Sequence, residues 1–385
     1  MLNEEMKRLS RLDVLRVTSV FAVVFTHVSS GVLRESVPLT SVNWWVSNLA
    51  ISCARWCIPV FVMISGALLL DPSRNEELMF FYKKRMQRVA IPLVFWSFFY
   101  IAVRYSKGNF TVEQAISSIA KGEPAYHLWY IYMVLGLYLL TPFLRTYVKY
   151  ATSRERFWLI IVIFILTNCY HLVNSLMFRN QQSVFTLFVP YIPYYLCGYE
   201  LRVLDSRRIE FKYLCGVIIV CGLSIAIGTG FLIKLFGMQR FSFFYSYLQP
   251  LTIVMSIAVF LVVYHGRYPN ILEHRFVAKI VEQLAPATFG IYLLHVIVLE
   301  VIKGIVGQAR TINYAFVMIP AITIVTFFVC YMIVSILASV RILQPIVAFD
   351  QKRHRSQPTN SLYHTENLAR SKPAVIGSTL EEKIG

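Results

Sequence analysis

Arg16 and His27 share one apolar stretch, LDVLRVTSVFAVVFTHVSS, eleven positions apart. At about 100° per residue, eleven helical steps make roughly three turns plus 20°, so both side chains project from one face. About 16 Å of helix separates them along the axis. Ionisable groups on one stripe of a membrane helix are costly and belong against a protein interior or an aqueous path. The plainer reading is a snorkelling arginine near the helix end and a histidine bonded to a neighbouring helix. The sharper reading is a polar track from the helix entrance toward mid-membrane, with a proton-transfer group at its inner end. Histidine suits that role because its ordinary pKa of about 6.5 lies near the working range. Arg16, a permanent cation at the entrance, suits a phosphate or carboxylate.

Further candidates recur along the chain. The segment SCARWCIPVFVMISGALLL places Arg55 inside an apolar run, with Pro59 four residues later and Ser65-Gly66 permitting close helix approach. A kinked packing helix with one buried arginine is the plainer alternative, but a buried guanidinium needs an anionic or polar partner. In FYKKRMQRVAIPL, Lys83, Lys84, Arg85 and Arg88 mark a membrane surface and, beside Arg16, would form a funnel for an anionic ligand. HLWYIYMVLGLYLLTPFLR opens on His127 and Trp129, placed at an outer interface where aromatics are ordinary. In ATFGIYLLHVIVLEVIK, His295 lies deep and shares a face with Tyr292 and Thr288. Glu300 and Lys303, one turn apart on that helix, read as an ion pair. Glu200 and His171 are weaker candidates.

These residues must be positioned by membrane-spanning helices. The chain has 385 residues with 57% hydrophobic composition, and its mean hydropathy is +0.59. Apolar runs of about 20 residues recur, each long enough for a hydrocarbon core of about 30 Å. The expected fold is all-α: a polytopic transmembrane bundle of about ten spans, near 13–33, 46–70, 88–104, 127–145, 157–178, 185–204, 213–235, 244–264, 284–305 and 313–340.

The net charge of +17 sits in short segments between apolar runs, which marks topology rather than nucleic-acid binding. Basic loops at the N-terminus, 74–88, 149–156, 207–212 and 265–279 all fall on one side, with both termini, and the positive-inside rule makes that side the cytoplasm. Residues 1–345 form the expected membrane domain, and 346–385 a polar mobile cytoplasmic tail. The first residues do not read as a cleaved signal peptide, because His27 interrupts the apolar run and no clean cleavage site follows. The seven cysteines read as small packing residues with no disulfide framework, and no metal-ligand set is expected. A G-x-S-x-G elbow and a P-loop are both absent.

Arg16-x10-His27, the Arg55…PVFVMISG segment, KKRMQR-x3-P, HLWYIY…GLYLLTP and FGIYLLH occur in order. Over about residues 11–340 this pattern resembles the acyltransferase-3 family of bacterial integral-membrane O-acyltransferases. Its HLWY and LYLLTP style is most similar to enzymes that O-acetylate enterobacterial common antigen. The resemblance implies acetyl-CoA as a cytosolic acyl donor and a hydroxyl of a surface or secreted polysaccharide, or its lipid-linked precursor, as acceptor, in the bacterial inner membrane. It implies Arg16 and His27 as the catalytic pair and Arg55, His127 and His295 as matching family positions. With these, the residue reading places Arg55, His127, Trp129, Tyr292 and His295 as substrate-binding and Arg16, Lys84, Arg85 and Arg88 as the donor site. An exporter of polysaccharide intermediates with the same fold is the alternative, and acyl transfer to a small molecule or peptide a third.

Overall fold

The computed structural model describes residues 2–33, 38–74, 76–108, 110–177, 183–205, 210–237, 243–266, 275–307 and 313–349, without the side chains of 2–10, 175–177 and 275. The tail expected beyond 345 lies mostly outside the described residues, as do Arg207 and Arg208. The compact unit runs from Met1 to Phe349.

The chain is an all-α helical bundle, with no strand among the described residues. Helix α1 (Leu2–Leu33) is its hub and packs on α2 (Val42–Ala54), α3 (Cys57–Leu69), α10 (Pro250–His265), α12 (Thr288–Val306) and α13 (Ala315–Ser339). Its buried face carries Leu12, Leu15, Val20, Val24 and Val28. Thr26 and Ser29 hydroxyls donate to carbonyls one turn back, at 2.9 and 2.8 Å, so these polar groups cost little inside the bundle.

Around this hub lie α4 (Leu78–Ser106), the short α5 (Val112–Ala120), α6 (Trp129–Tyr150), α7 (Ser153–Met177), α8 (Ile192–Val203), α9 (Phe211–Phe236) and α11 (Arg275–Leu284). A single turn, α14 (Gln344–Val347), closes the unit, and the Trp96 indole donates to Ile346 O at 2.9 Å.

Eight helical segments are long and apolar enough to cross a membrane. The two other expected spans correspond to shorter helices, Ile192–Val203 and Pro250–His265. Proline explains their late starts, since it favours the first helical turn and cannot continue a ladder before it; Pro193 and Pro250 sit there. Proline also breaks the second span. Pro59 has no N–H to offer the Arg55 carbonyl four residues back, and the helix interrupts at Arg55-Trp56.

The Ser65-Gly66 reading finds its partner in α8. A methyl group on Gly66 would overlap the Tyr195 carbonyl, and one on Gly198 would overlap the Met63 backbone. The two backbones pack face to face with no side chain between them. Gly66→Ala and Gly198→Ala should each destabilise the fold by about 1–3 kcal/mol or more, because backbone cannot swing aside as a side chain can. Thermal unfolding of the detergent-solubilised variants checks this, and an unchanged midpoint for both would refute the contact.

Basic residues gather at one end of the bundle. Arg145 donates to Leu69 O (3.0 Å) and Arg74 O (3.2 Å), while Arg202 donates to Ala67 O (2.7 Å) and pairs with Asp71 (3.1 Å). Arg156 pairs with Glu200, and Arg11 donates to Tyr264 O at 2.9 Å. At the opposite ends of α4 and α12, Lys107 pairs with Glu300 at 2.8 Å. The expected partner of Glu300 was Lys303, whose ammonium instead lies against Gly31 of α1.

Candidate active site

Three helices bring three histidines together. His27 of α1 and His295 of α12 have ring centroids 5.1 Å apart, and His127, just before α6, lies 5.1 Å from His295. Tyrosines wall the cluster: Tyr126 lies 5.2 Å from His27, Tyr100 lies 5.0 Å from His127, and Tyr292 lies 5.5 Å from His295. The rings are held by backbone bonds. Tyr292 Oη donates to the His127 carbonyl, and Tyr100 Oη donates to Leu293 O at 2.8 Å. His27 therefore faces the bundle.

His295 Nδ1 lies 2.6 Å from Tyr292 O. A carbonyl can only accept, so Nδ1 carries a proton, and in the neutral tautomer the lone pair is on Nε2. That Nε2, and both ring nitrogens of His127, are buried with no hydrogen-bond partner. His295 is 0% and His127 1% exposed, so these nitrogens are costly unless a ligand satisfies them. Among the described residues no group of three or more His, Cys, Asp or Glu is arranged to hold a metal ion, the histidine cluster included.

Arg16 pairs with Asp13 at 2.7 Å, so a carboxylate already occupies part of its donor fork. It also lies within electrostatic reach of the buried Tyr130, whose ring packs 5.2 Å from Tyr292. The polar stripe thus continues from the Arg16 entrance to the histidines. Arg55 sits at the break between α2 and α3. Its guanidinium stacks over Tyr245 (5.0 Å) and Tyr247 (4.8 Å) and donates to Tyr247 Oη at 3.2 Å. No carboxylate pairs with it among the described residues, and its Nε is buried without a partner. Tyr247 also packs 5.9 Å from Trp129, which joins these two candidates in one aromatic group.

Of the surface cations, Lys84 bonds Glu76 at 3.4 Å, and Arg85 turns inward over Phe81, whereas Lys83 and Arg88 are exposed on α4. Arg74 interacts electrostatically with Glu76, Asp71, Arg85 and Arg145. Burial lowers the Arg74 pKa, Glu76 and Asp71 oppose that shift, and the neighbouring arginines reinforce it. Arg85 Nε is buried and donates to no acceptor, while the buried Nη2 of Arg145, without a hydrogen bond, sits 3.9 Å from Glu76 Oε2 as an ion pair. A phosphate would satisfy the open Arg85 donor and would share Arg145 with Glu76, so the residues present fit a phosphate-bearing acyl carrier.

Two cavities lie at the other end. One, of ≈ 650 Å³, has Tyr100, Tyr126, Arg104 and Glu300 in its lining and the polar face of α5 over it. The other, of ≈ 410 Å³, is lined by Tyr126, Trp129, Tyr170, His171, Tyr191 and Tyr247 among others.

Sequence reasoning missed Tyr100, Tyr126, Tyr247 and Arg145. Tyr126 adjoins His127 and Arg145 closes the YLLTPFLR run, so both carried a local signal. Tyr100 and Tyr247 had none, because only folding brings them to His127 and Arg55. Glu200 is accounted for by its ion pair with Arg156.

The site is thus a basic end, a buried histidine cluster and cavities beyond it, all within a multi-pass helical bundle. Residues 9–342 match the profile described as an acyltransferase domain, and the chain belongs to this acyltransferase-3 family of membrane acyltransferases. No curated protein and no solved structure matches the chain.

Proposed function

We propose that this protein is an O-acetyltransferase of the bacterial inner membrane. It takes acetyl from cytosolic acetyl-CoA and places it on a hydroxyl of a surface or secreted polysaccharide or its lipid-linked precursor, in the manner of the enterobacterial common antigen O-acetyltransferase. The observation that supports this most is the placement of the histidine–tyrosine cluster between a basic end, where Arg85 keeps an open donor, and two cavities at the opposite end. With both termini on the cytoplasmic side, the basic end faces the cytosol. Arg85, Arg145 and Arg16 hold the phosphates of the donor, and its pantetheine arm runs along the α1 stripe toward His27.

At the cluster, the acceptor hydroxyl gives its proton to the neutral His27 ring as its oxygen bonds to the thioester carbonyl carbon. The tetrahedral oxyanion collapses, the C–S bond breaks, and the departing sulfur takes the proton back from the imidazolium. Buried His295, whose ring packs 5.1 Å from that of His27 and whose Nε2 is open, keeps a second proton acceptor within the cluster.

Purified protein in liposomes, given labelled acetyl-CoA and a glycan extract of its host, should transfer label to carbohydrate with release of free CoA. Mass spectrometry of surface glycans from a deletion strain should show loss of one acetyl substituent. Glycan translocation without label transfer would replace this reading with an exporter.

A further inference from the structure

Tyr126 belongs to both outer cavities, as does Glu123, and its ring is the one that meets His27 from that end. The ring is 45% exposed, so it stands between the two chambers as a partition that can be reached from either. Each chamber, at ≈ 650 and ≈ 410 Å³, falls within the range of about 300–1,000 Å³ that single ligands occupy.

Their chemistry differs. The smaller chamber has a panel of aromatic faces, Trp129, Tyr170, Tyr191 and Tyr247, with Asn174 and Ser246 at its edges. It also holds His171, whose Nε2 is buried with no partner. A pyranose is a disc with C–H faces and a rim of hydroxyls. Aromatic faces cover the first, and amide, hydroxyl and imidazole groups satisfy the second.

The larger chamber is polar on its α5 side. Gln114, Ser117, Ser118 and Lys121 line it, while Val112, Ile116 and Ile119 lie on the opposite, exposed face of α5. At about 100° per residue these two sets fall on opposite sides of one helix.

We infer that the acceptor is a carbohydrate chain of at least two units bound across both chambers. One ring stacks in the Trp129 chamber, the next lies under α5, and Tyr126 positions the hydroxyl between them at His27. This rests on the reading of the protein as an acetyltransferase acting on sugar hydroxyls. It adds that recognition requires the chain, because the contact with His27 is made by Tyr126, the ring that both chambers share, while the larger chamber also meets His127 through Tyr100.

The test uses full-length protein in liposomes with labelled acetyl-CoA. The acceptor probes are carbohydrate chains extracted from the host envelope and the monosaccharides produced by hydrolysing the same extract. Label should enter the chains and not the monosaccharides. Tyr170→Ala and Asn174→Ala, both remote from the histidine cluster, should raise KM for the chains about tenfold with KM for acetyl-CoA unchanged, since each removes a stacking face or a hydrogen bond. Tyr126→Ala should lower kcat, and Tyr126→Phe should restore it. Equal acetylation of monosaccharides, or unchanged KM in both chamber variants, overturns the two-chamber site while leaving sugar acetylation intact. Consumption of acetyl-CoA with label in no carbohydrate fraction overturns sugar acetylation itself, and the two-chamber site with it.

Discussion

His27→Gln is expected to lower acetyl transfer by about 10²–10⁴-fold while leaving the protein folded and inserted. Glutamine keeps a hydrogen-bonding group beside Tyr126 and His295 but cannot take and return a proton. The same chemistry fixes the pH response. A base must be neutral to work, so kcat/KM should fall about tenfold per pH unit below the pKa of the essential imidazole and level off above it. His295→Gln should cost less, about tenfold to 10²-fold, because that ring acts through its neighbour. Steady-state rates of the two variants across pH 5–9 decide the assignment. Near-wild-type turnover in His27→Gln together with collapse in His295→Gln would move the base to His295, whose Nε2 already has an open lone pair.

The second large effect is expected at the basic end. Arg85→Ala should raise KM for acetyl-CoA by about 10–100-fold with little change in kcat, the loss of one charge-assisted bond to phosphate. Arg145→Lys should act in the same direction, because a point charge cannot reproduce the guanidinium fork that also braces Leu69 and Arg74. Both effects should shrink as ionic strength rises. A KM for acetyl-CoA unaffected by Arg85→Ala would place the donor elsewhere.

The bundle was legible in the sequence because membrane helices announce themselves locally: length, apolarity and charged flanks need no knowledge of neighbours. Arg16, His27, Arg55 and His295 were legible for the same reason, since an ionisable group in an apolar run is conspicuous by itself. What escaped was pairing. Asp13 occupies Arg16 from three residues away on the same helix. Glu300 has a nearer sequence neighbour in Lys303 but pairs with Lys107 from another helix, because tertiary contact outweighs sequence proximity. The tyrosines were hidden in an aromatic-rich chain of 23 tyrosines, where only folding shows which ones meet a histidine.

The glycine-to-glycine seat of α8 on α3 has a mechanical consequence. At one end of α8, Arg202 is tied to Asp71 and the Ala67 carbonyl; near the other, Tyr194 Oη donates to Tyr247 O at 2.6 Å. A short helix whose backbone is locked against its neighbour behaves as a strut, and it joins the basic end to the aromatic chamber. The spacing between those two places is therefore set by about 18 Å of helix and not by a hinge. With that wall held by backbone contact, the distance is crossed by the reach of the donor molecule itself.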